Sequence, residues 1–192
     1  MDFFEKIARL LKTPTKYFST VKKEGLKEPV VFYLIFTAVV GLLSAASQIK
    51  TFQISAGWYP FMYVAIVLFG MIGAFIGAGI THLFVMLFKG KGTFIDTFKA
   101  RAYGSVPSLL WAIPMVAMIL VISSEIVVIL VSILSIFPAI YSIYLEVVGL
   151  SVLHKISKGK AFGAIILPLV IIFTLAFVFF FFVMMAVLAG GM

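Results

Sequence analysis

Five apolar stretches account for most of this chain, and each is long enough to cross a membrane. A helix needs about 20 apolar residues to span a hydrocarbon core of about 30 Å. The predicted spans are residues 30–49, 60–88, 103–123, 125–153 and 162–188. The sequence therefore predicts an all-α fold, a polytopic membrane helical bundle with five transmembrane helices.

The composition excludes a soluble globular protein. Hydrophobic residues make up 64% of the 192 residues and charged residues only 11%, whereas soluble domains carry about 25% charged residues. A chain of this size has too much surface for its volume to bury so large an apolar area. The absence of cysteine also excludes disulfides and thiol chemistry.

The basic residues predict the orientation of the spans. Fifteen Lys and Arg residues give the chain a net charge of +8. All of them except Lys50 precede the first span, lie between the second and third spans, or follow the fourth. The positive-inside rule places these three segments in the cytoplasm. We therefore predict an N-terminus inside and a C-terminus, residues 190–192, outside.

Residues 1–28 are predicted to form a cytoplasmic amphipathic segment that precedes the transmembrane domain, residues 29–192. Pro14 suits the first position of a helix capped by Thr13. Thr93 and Asp96 form a capping box that predicts another short helix after the second span. We expect these helices to lie at the membrane interface or to dock a partner protein. The predicted docking residues are Phe3, Phe4, Ile7, Leu11, Tyr17, Phe18, Phe94 and Phe98.

Small side chains line the second span at three- and four-residue intervals. They are Gly70, Gly73, Gly77 and Thr81. Faces of this kind let two helix backbones approach closely within a membrane. We expect this face to pack against another span of the same chain, with a homo-oligomer as the alternative.

Ionisable residues inside the predicted spans are few, and such residues usually face a partner within the bundle. Glu146 and His82 lie at similar depths below the basic segments. We predict that Glu146 pairs with His82, or with Arg101, beside Tyr103 and Tyr144. This intramembrane polar cluster is either a structural tie or a proton or ion site.

No motif in the sequence supplies catalytic chemistry. HExxH, GxSxG and phosphate-binding loops are absent. Two isolated histidines and one buried glutamate are too few for a zinc site, and His154 is expected at the level of the lipid headgroups. We expect no enzymatic activity, no metal and no cofactor. Nucleic acid is not an expected partner, because no basic region stands free of the bilayer.

Several fragments follow one another in an order that is typical of one family. They are Pro14, Tyr17 and Phe18, then Glu28–Pro29, then Lys89–Phe94, then Ala102–Pro107. Within the last, Tyr103, Gly104 and Pro107 match a Gly-Tyr-x-x-x-Pro motif, with Ala102 in place of the first glycine. The chain resembles the Yip domain family, five-span membrane proteins named for interaction with Ypt/Rab GTPases. The Asp-Leu-Tyr-Gly-Pro motif of the eukaryotic branch is absent, so the resemblance is to a prokaryotic branch.

The resemblance implies a multi-pass protein of the cell membrane without enzymatic activity. We expect it to organise protein partners or lipid at the cytoplasmic face, where basic residues attract anionic lipids. The alternative is a small transporter or channel that uses Glu146 and His82.

Overall fold

The computed structural model describes residues 3–122 and 124–190. The helices are α1 (Phe3–Lys12), α2 (Pro14–Thr20), α3 (Lys27–Phe52), α4 (Tyr59–Leu87), α5 (Phe94–Gly104), α6 (Val106–Val121), α7 (Glu125–Leu134), α8 (Ile136–His154) and α9 (Lys158–Gly190). The predicted end of the third span at Ser123 and the predicted outer position of Gly191 and Met192 lie outside the described residues.

Five helical segments are long and apolar enough to cross a membrane. They are Lys27–Phe52, Ala56–Leu87, Phe94–Val121, Glu125–His154 and Lys158–Met185. Residues 3–122 and 124–190 contain no β-strand. The predicted all-α fold with five transmembrane segments is confirmed.

Prolines divide the third and fourth spans into two helices each. Pro107 has no N–H for the carbonyl of Tyr103, and α5 ends one residue later, at Gly104. In the same way, α7 ends at Leu134, the residue whose carbonyl would have paired with the N–H missing from Pro138. The short helix predicted after the second span is α5. It runs directly into α6, and the two helices together form one segment long and apolar enough to cross a membrane.

The N-terminal helices pack into the bundle. Leu10, Tyr17 and Phe18 are fully buried, and α2 packs against α8. The apolar face of α2 is therefore covered by this chain itself, and the prediction that it faces lipid or a partner is wrong. Thr13 precedes α2 as predicted, but its hydroxyl donates to the carbonyl of Arg9 at 3.2 Å and does not cap the helix.

The buried core lies at one end of the bundle, which we call the lysine-rich end. This end is formed by α1, α2 and the α2–α3, α4–α5 and α8–α9 connections. Away from it, α7 and the second half of α9 carry exposed apolar side chains, including Phe179–Phe182. Apolar surface of this extent is what the hydrocarbon of a bilayer covers.

Candidate functional site

A chain of hydrogen bonds joins three helices at the lysine-rich end. Nδ1 of His82 lies 2.8 Å from Oγ1 of Thr97, and the same oxygen lies 2.9 Å from Nε2 of His154. A hydroxyl has one hydrogen, so Thr97 donates to one imidazole and accepts an N–H from the other. The N–H of Lys91 donates to the carbonyl of His154 at 3.0 Å. His154 is fully buried within the protein, and its depth at the level of the lipid headgroups stays a prediction.

Asp96 organises the start of α5. The N–H of Thr93 donates to Oδ2 of Asp96 at 2.9 Å, which completes the predicted capping box. Its other oxygen lies 3.3 Å from the ammonium of Lys99, a side chain that is only 2% exposed. Lys99 also donates to the carbonyl of Lys22 at 3.0 Å. A buried charge is tolerated only with such partners, so Lys99 fixes α5 to the segment after α2.

Glu24 connects the N-terminal helices to α5. One carboxylate oxygen accepts from the ammonium of Lys6 at 2.8 Å, and the other accepts from the hydroxyl of Tyr103 at 2.5 Å. The ring of Tyr103 packs edge-on against that of Tyr17, with centroids 5.3 Å apart. Burial, helped by the charge of Glu24, raises the pKa of the Tyr17 hydroxyl well above its usual value.

The predicted cluster around Glu146 is divided. Nη1 of Arg101 lies 3.5 Å from Oε1 of Glu146, whereas His82 and Tyr103 bond to the groups described above. Tyr144 is exposed and stacks on Tyr141 with ring centroids 5.9 Å apart. The structure thus places one of the two alternative partners, Arg101, beside Glu146, and places Tyr144 away from the buried polar groups.

The glycines of α4 differ in their surroundings. A Cβ atom on Gly77 would lie 2.6 Å from Nη2 of Arg101, and one on Gly70 would lie 3.0 Å from a side chain of α3. A Cβ atom on Gly73 would meet no atom of the described residues within 4 Å. Thr81 is buried. Gly70, Gly77 and Thr81 therefore line the packed face, whereas Gly73 faces away from it, contrary to the prediction.

The residues of the Tyr-x-x-x-Pro motif lie where α5 meets α8. A Cβ atom on Gly104 would lie 2.9 Å from the backbone nitrogen of Glu146. Glycine is thus required for the close approach of the two backbones. Pro107 is buried in the first turn of α6, where its missing N–H costs little.

The predicted docking residues do not form one exposed surface. Tyr17, Phe18 and Phe98 are fully buried and are therefore not available to a partner. The remainder are partly buried against the core, except for Phe4, which is 77% exposed. The partly buried residues are Phe3, Ile7, Leu11 and Phe94.

Exposed lysines dominate the surface of the lysine-rich end. Four acidic residues there are used in ion pairs: Glu5 with Arg9, Glu24 with Lys6, Asp96 with Lys99 and Glu146 with Arg101. In the part of the chain that the structure describes, ten further lysines at this end are exposed and lie in no such pair. They are Lys12, Lys16, Lys22, Lys23, Lys27, Lys89, Lys91, Lys155, Lys158 and Lys160.

The residues that hold this end together are not among those predicted from the sequence. Thr97, Lys99 and Glu24 carry the hydrogen bonds that connect the elements, but none of them stands out as an intramembrane charge or a motif. One signal was available for Lys99, since it follows Asp96 by three residues and so shares a helix face with it.

The fold defines a polytopic helical membrane protein. Among the described residues, no group of three His, Cys, Asp or Glu side chains could hold a metal ion. A family model for the Yip1 domain matches residues 8–190, and the chain therefore belongs to the Yip1 domain family. An uncharacterized protein of Methanocaldococcus jannaschii is 29% identical over 113 residues, which cover 54% of this chain and 80% of that protein. No solved structure matches the chain.

Proposed function

We propose that this protein is a non-enzymatic organiser of the cytoplasmic face of the cell membrane. The observation that carries the proposal is the set of ten exposed lysines without ion pairs at one end of a membrane-spanning bundle. Each Lys or Arg near an anionic membrane surface contributes about 1 kcal/mol of attraction. The lysine-rich end would therefore gather anionic headgroups, and protein partners that bind them, around the bundle.

The buried polar contacts support this role because they make the lysine-rich end a fixed surface. Lys99 ties α5 to residue 22, and Glu24 ties α1 to α5. The lysines of the intervening segments are thus carried on a folded platform. In physiological salt each charge acts over about 8 Å, so the platform has to lie at the membrane surface for its lysines to attract headgroups.

Lipid selectivity in proteoliposomes tests the proposal. The fraction of spin-labelled phosphatidylglycerol held by the full-length protein is compared with that of spin-labelled phosphatidylcholine. Replacing six of the exposed lysines by glutamine should abolish the preference for phosphatidylglycerol, and replacing the same six by arginine should preserve it. The six are Lys12, Lys16, Lys22, Lys89, Lys91 and Lys155. Equal retention of the two lipids by the wild-type protein would contradict the proposal.

Crosslinking in native membranes tests whether the basic surface recruits protein partners. It compares the wild-type protein, the glutamine variant and the arginine variant. A partner captured by the wild-type protein and the arginine variant, but not by the glutamine variant, supports recruitment through the basic surface. Deletion of residues 1–28 is unsuitable for this purpose, because Leu10, Tyr17 and Phe18 belong to the core.

A small transporter or channel is the second candidate function. The observation that favours it is Glu146, whose Oε1 is buried 3.5 Å from Arg101 and has no hydrogen-bond partner among residues 3–122 and 124–190. Intramembrane acids of this kind often mark ion or proton paths. Proton or cation flux into proteoliposomes that is lost in Glu146→Gln would favour this function, and absence of flux with the wild-type protein would exclude it for the ions tested.

A further inference from the structure

A groove between α1 and the start of α3 combines polar and apolar walls. Its volume is about 360 Å³, within the range of about 300–1,000 Å³ that small-molecule sites occupy. Phe3, Val31, Phe32 and Ile35 form its apolar part. The rings of Phe3 and Phe32 pack together with centroids 5.2 Å apart and give this part a fixed floor.

The groove lies where a ligand would need one polar part in contact with water and one apolar part in contact with the hydrocarbon of the bilayer. Val31 and Ile35 lie one turn apart on α3 and are 44% and 45% exposed, so they form an open apolar track within a membrane-spanning segment. The polar part, at Lys27 and Glu28, is the first turn of the same helix. A phospholipid has this arrangement of parts, with one acyl chain along the track and its headgroup at the helix start.

The charges of the groove distinguish it from the rest of the lysine-rich end. Two ammonium groups, those of Lys6 and Lys27, line it together with the carboxylate of Glu28. Lys6 is bound to Glu24 at 2.8 Å, which leaves Lys27 and Glu28 as the free charges of opposite sign. Glu28 is exposed and, within residues 3–122 and 124–190, lies in none of the four ion pairs of this end.

We infer that this groove binds a phospholipid with a phosphoethanolamine headgroup. The phosphate accepts hydrogen bonds from Lys27 and from the remaining hydrogens of Lys6, and the primary ammonium of the lipid donates to Glu28. The start of α3 has no capping side chain, so the positive end of its dipole also favours the phosphate. Phosphatidylcholine has no N–H to donate, and phosphatidylglycerol brings no positive charge to Glu28. The inference rests on the proposed function in placing this end at the membrane interface.

Native mass spectrometry of the full-length protein measures the selectivity. Phosphatidylethanolamine and phosphatidylcholine with identical acyl chains compete for the protein in detergent, without the anionic lipid that the exposed lysines attract. Loss of one hydrogen bond to a charged group weakens binding by about tenfold or more. We expect the wild-type protein to retain phosphatidylethanolamine over phosphatidylcholine by about this factor, Glu28→Gln to lose the preference, and the control Glu5→Gln, outside the groove, to keep it.

A steric variant tests the apolar track independently of the charges. Ile35→Trp fills the groove and should reduce retention of phosphatidylethanolamine, whereas Val39→Trp, one turn along the same lipid-exposed face, should not. Equal retention of phosphatidylethanolamine and phosphatidylcholine by the wild-type protein, or unchanged retention by Ile35→Trp, would overturn the inference. These variants keep all the exposed lysines. If the groove shows no selectivity but the protein still prefers phosphatidylglycerol in vesicles, only the groove inference is contradicted. If the groove is selective but the preference for phosphatidylglycerol is absent, only the proposed function is contradicted.

Discussion

The hydroxyl of Thr97 lies 2.9 Å from Nε2 of His154, a residue 57 positions away in the chain. This contact joins α5 to α8, and the bond of the same hydroxyl to His82 adds α4. Three of the five membrane-spanning segments are thus connected through one oxygen atom. Because Thr97 and His154 are fully buried, water cannot replace the bond between them when the hydroxyl is removed.

Removal of the Thr97 hydroxyl should destabilise the bundle. Thr97→Val keeps the shape of the side chain but leaves the buried Nε2 of His154 without its partner, and an unsatisfied buried polar group costs about 1–3 kcal/mol. The free energy of unfolding, measured by titration of mixed micelles with a denaturing detergent, should fall by this amount. Thr97→Ser, which keeps the hydroxyl, should recover most of the loss.

A second buried threonine provides the control for this change. Thr37 donates to the carbonyl of Tyr33 in its own helix at 2.9 Å, and that carbonyl keeps its helical partner when the hydroxyl is removed. Thr37→Val should therefore have little effect on the free energy of unfolding. Equal losses in Thr37→Val and Thr97→Val would show that the bridge between helices has no special role.

The close approach of α5 and α8 at Gly104 gives a second prediction. A Cβ atom there would lie 2.9 Å from backbone atoms of Glu146, and backbone cannot move aside as a side chain can. Overpacking of this kind costs about 1–3 kcal/mol. Gly104→Ala should lower the free energy of unfolding accordingly. Gly73→Ala, where nothing lies within 4 Å, should leave it unchanged or raise it, because alanine favours helix over glycine.

The sequence predicted the number and approximate limits of the spans because this information is local. A run of about 20 apolar residues has few alternatives in a bilayer. The capping box at Thr93 and Asp96 is equally local, and its hydrogen bond is present. The break between α7 and α8 at Ser135 was less evident from the sequence. It arises because Pro138 has no N–H to donate to the carbonyl of Leu134, four residues earlier.

The contacts of the polar groups were less predictable because they depend on how the helices rotate about their axes. Gly73 and Gly77 share the same small-residue pattern, yet one faces open space and the other faces Arg101. Tyr103 is close to Glu146 in depth, but its hydroxyl points to Glu24 in the N-terminal segment. Sequence spacing determines which residues share a helix face. It does not determine which other helix packs against that face.

The bond between Tyr103 and Glu24 predicts how the N-terminal segment is held. Tyr103→Phe removes the donor at 2.5 Å and leaves Glu24 with Lys6 alone. We expect local opening of residues 3–24 and faster trypsin cleavage at Lys12 and Lys16, because proteolysis follows the population of the open state. Tyr59→Phe is the matched control, since Tyr59 donates to the carbonyl of Leu42 at 3.0 Å away from this segment. Equal cleavage rates in the two variants would contradict the prediction.

A double-mutant cycle on Arg101 and Glu146 tests whether their ion pair stabilises the bundle or whether the two charges act independently. Glu146→Gln leaves the guanidinium without its carboxylate, and Arg101→Gln leaves a buried carboxylate without its cation, so each single variant should be less stable than the wild-type protein. The double variant Arg101→Gln/Glu146→Gln has no unpaired charge. Residues in direct contact typically show a coupling free energy of about 0.5–3 kcal/mol.

We therefore expect the double variant to be more stable than the sum of the two single losses predicts. The free energy of unfolding of all four proteins in mixed micelles gives the coupling directly. Strictly additive losses would mean that the charges 3.5 Å apart do not interact. Lys50→Gln provides the reference for a cation that lies outside any ion pair of the described residues, and it should show no coupling with Glu146→Gln because it lies at the other end of the bundle.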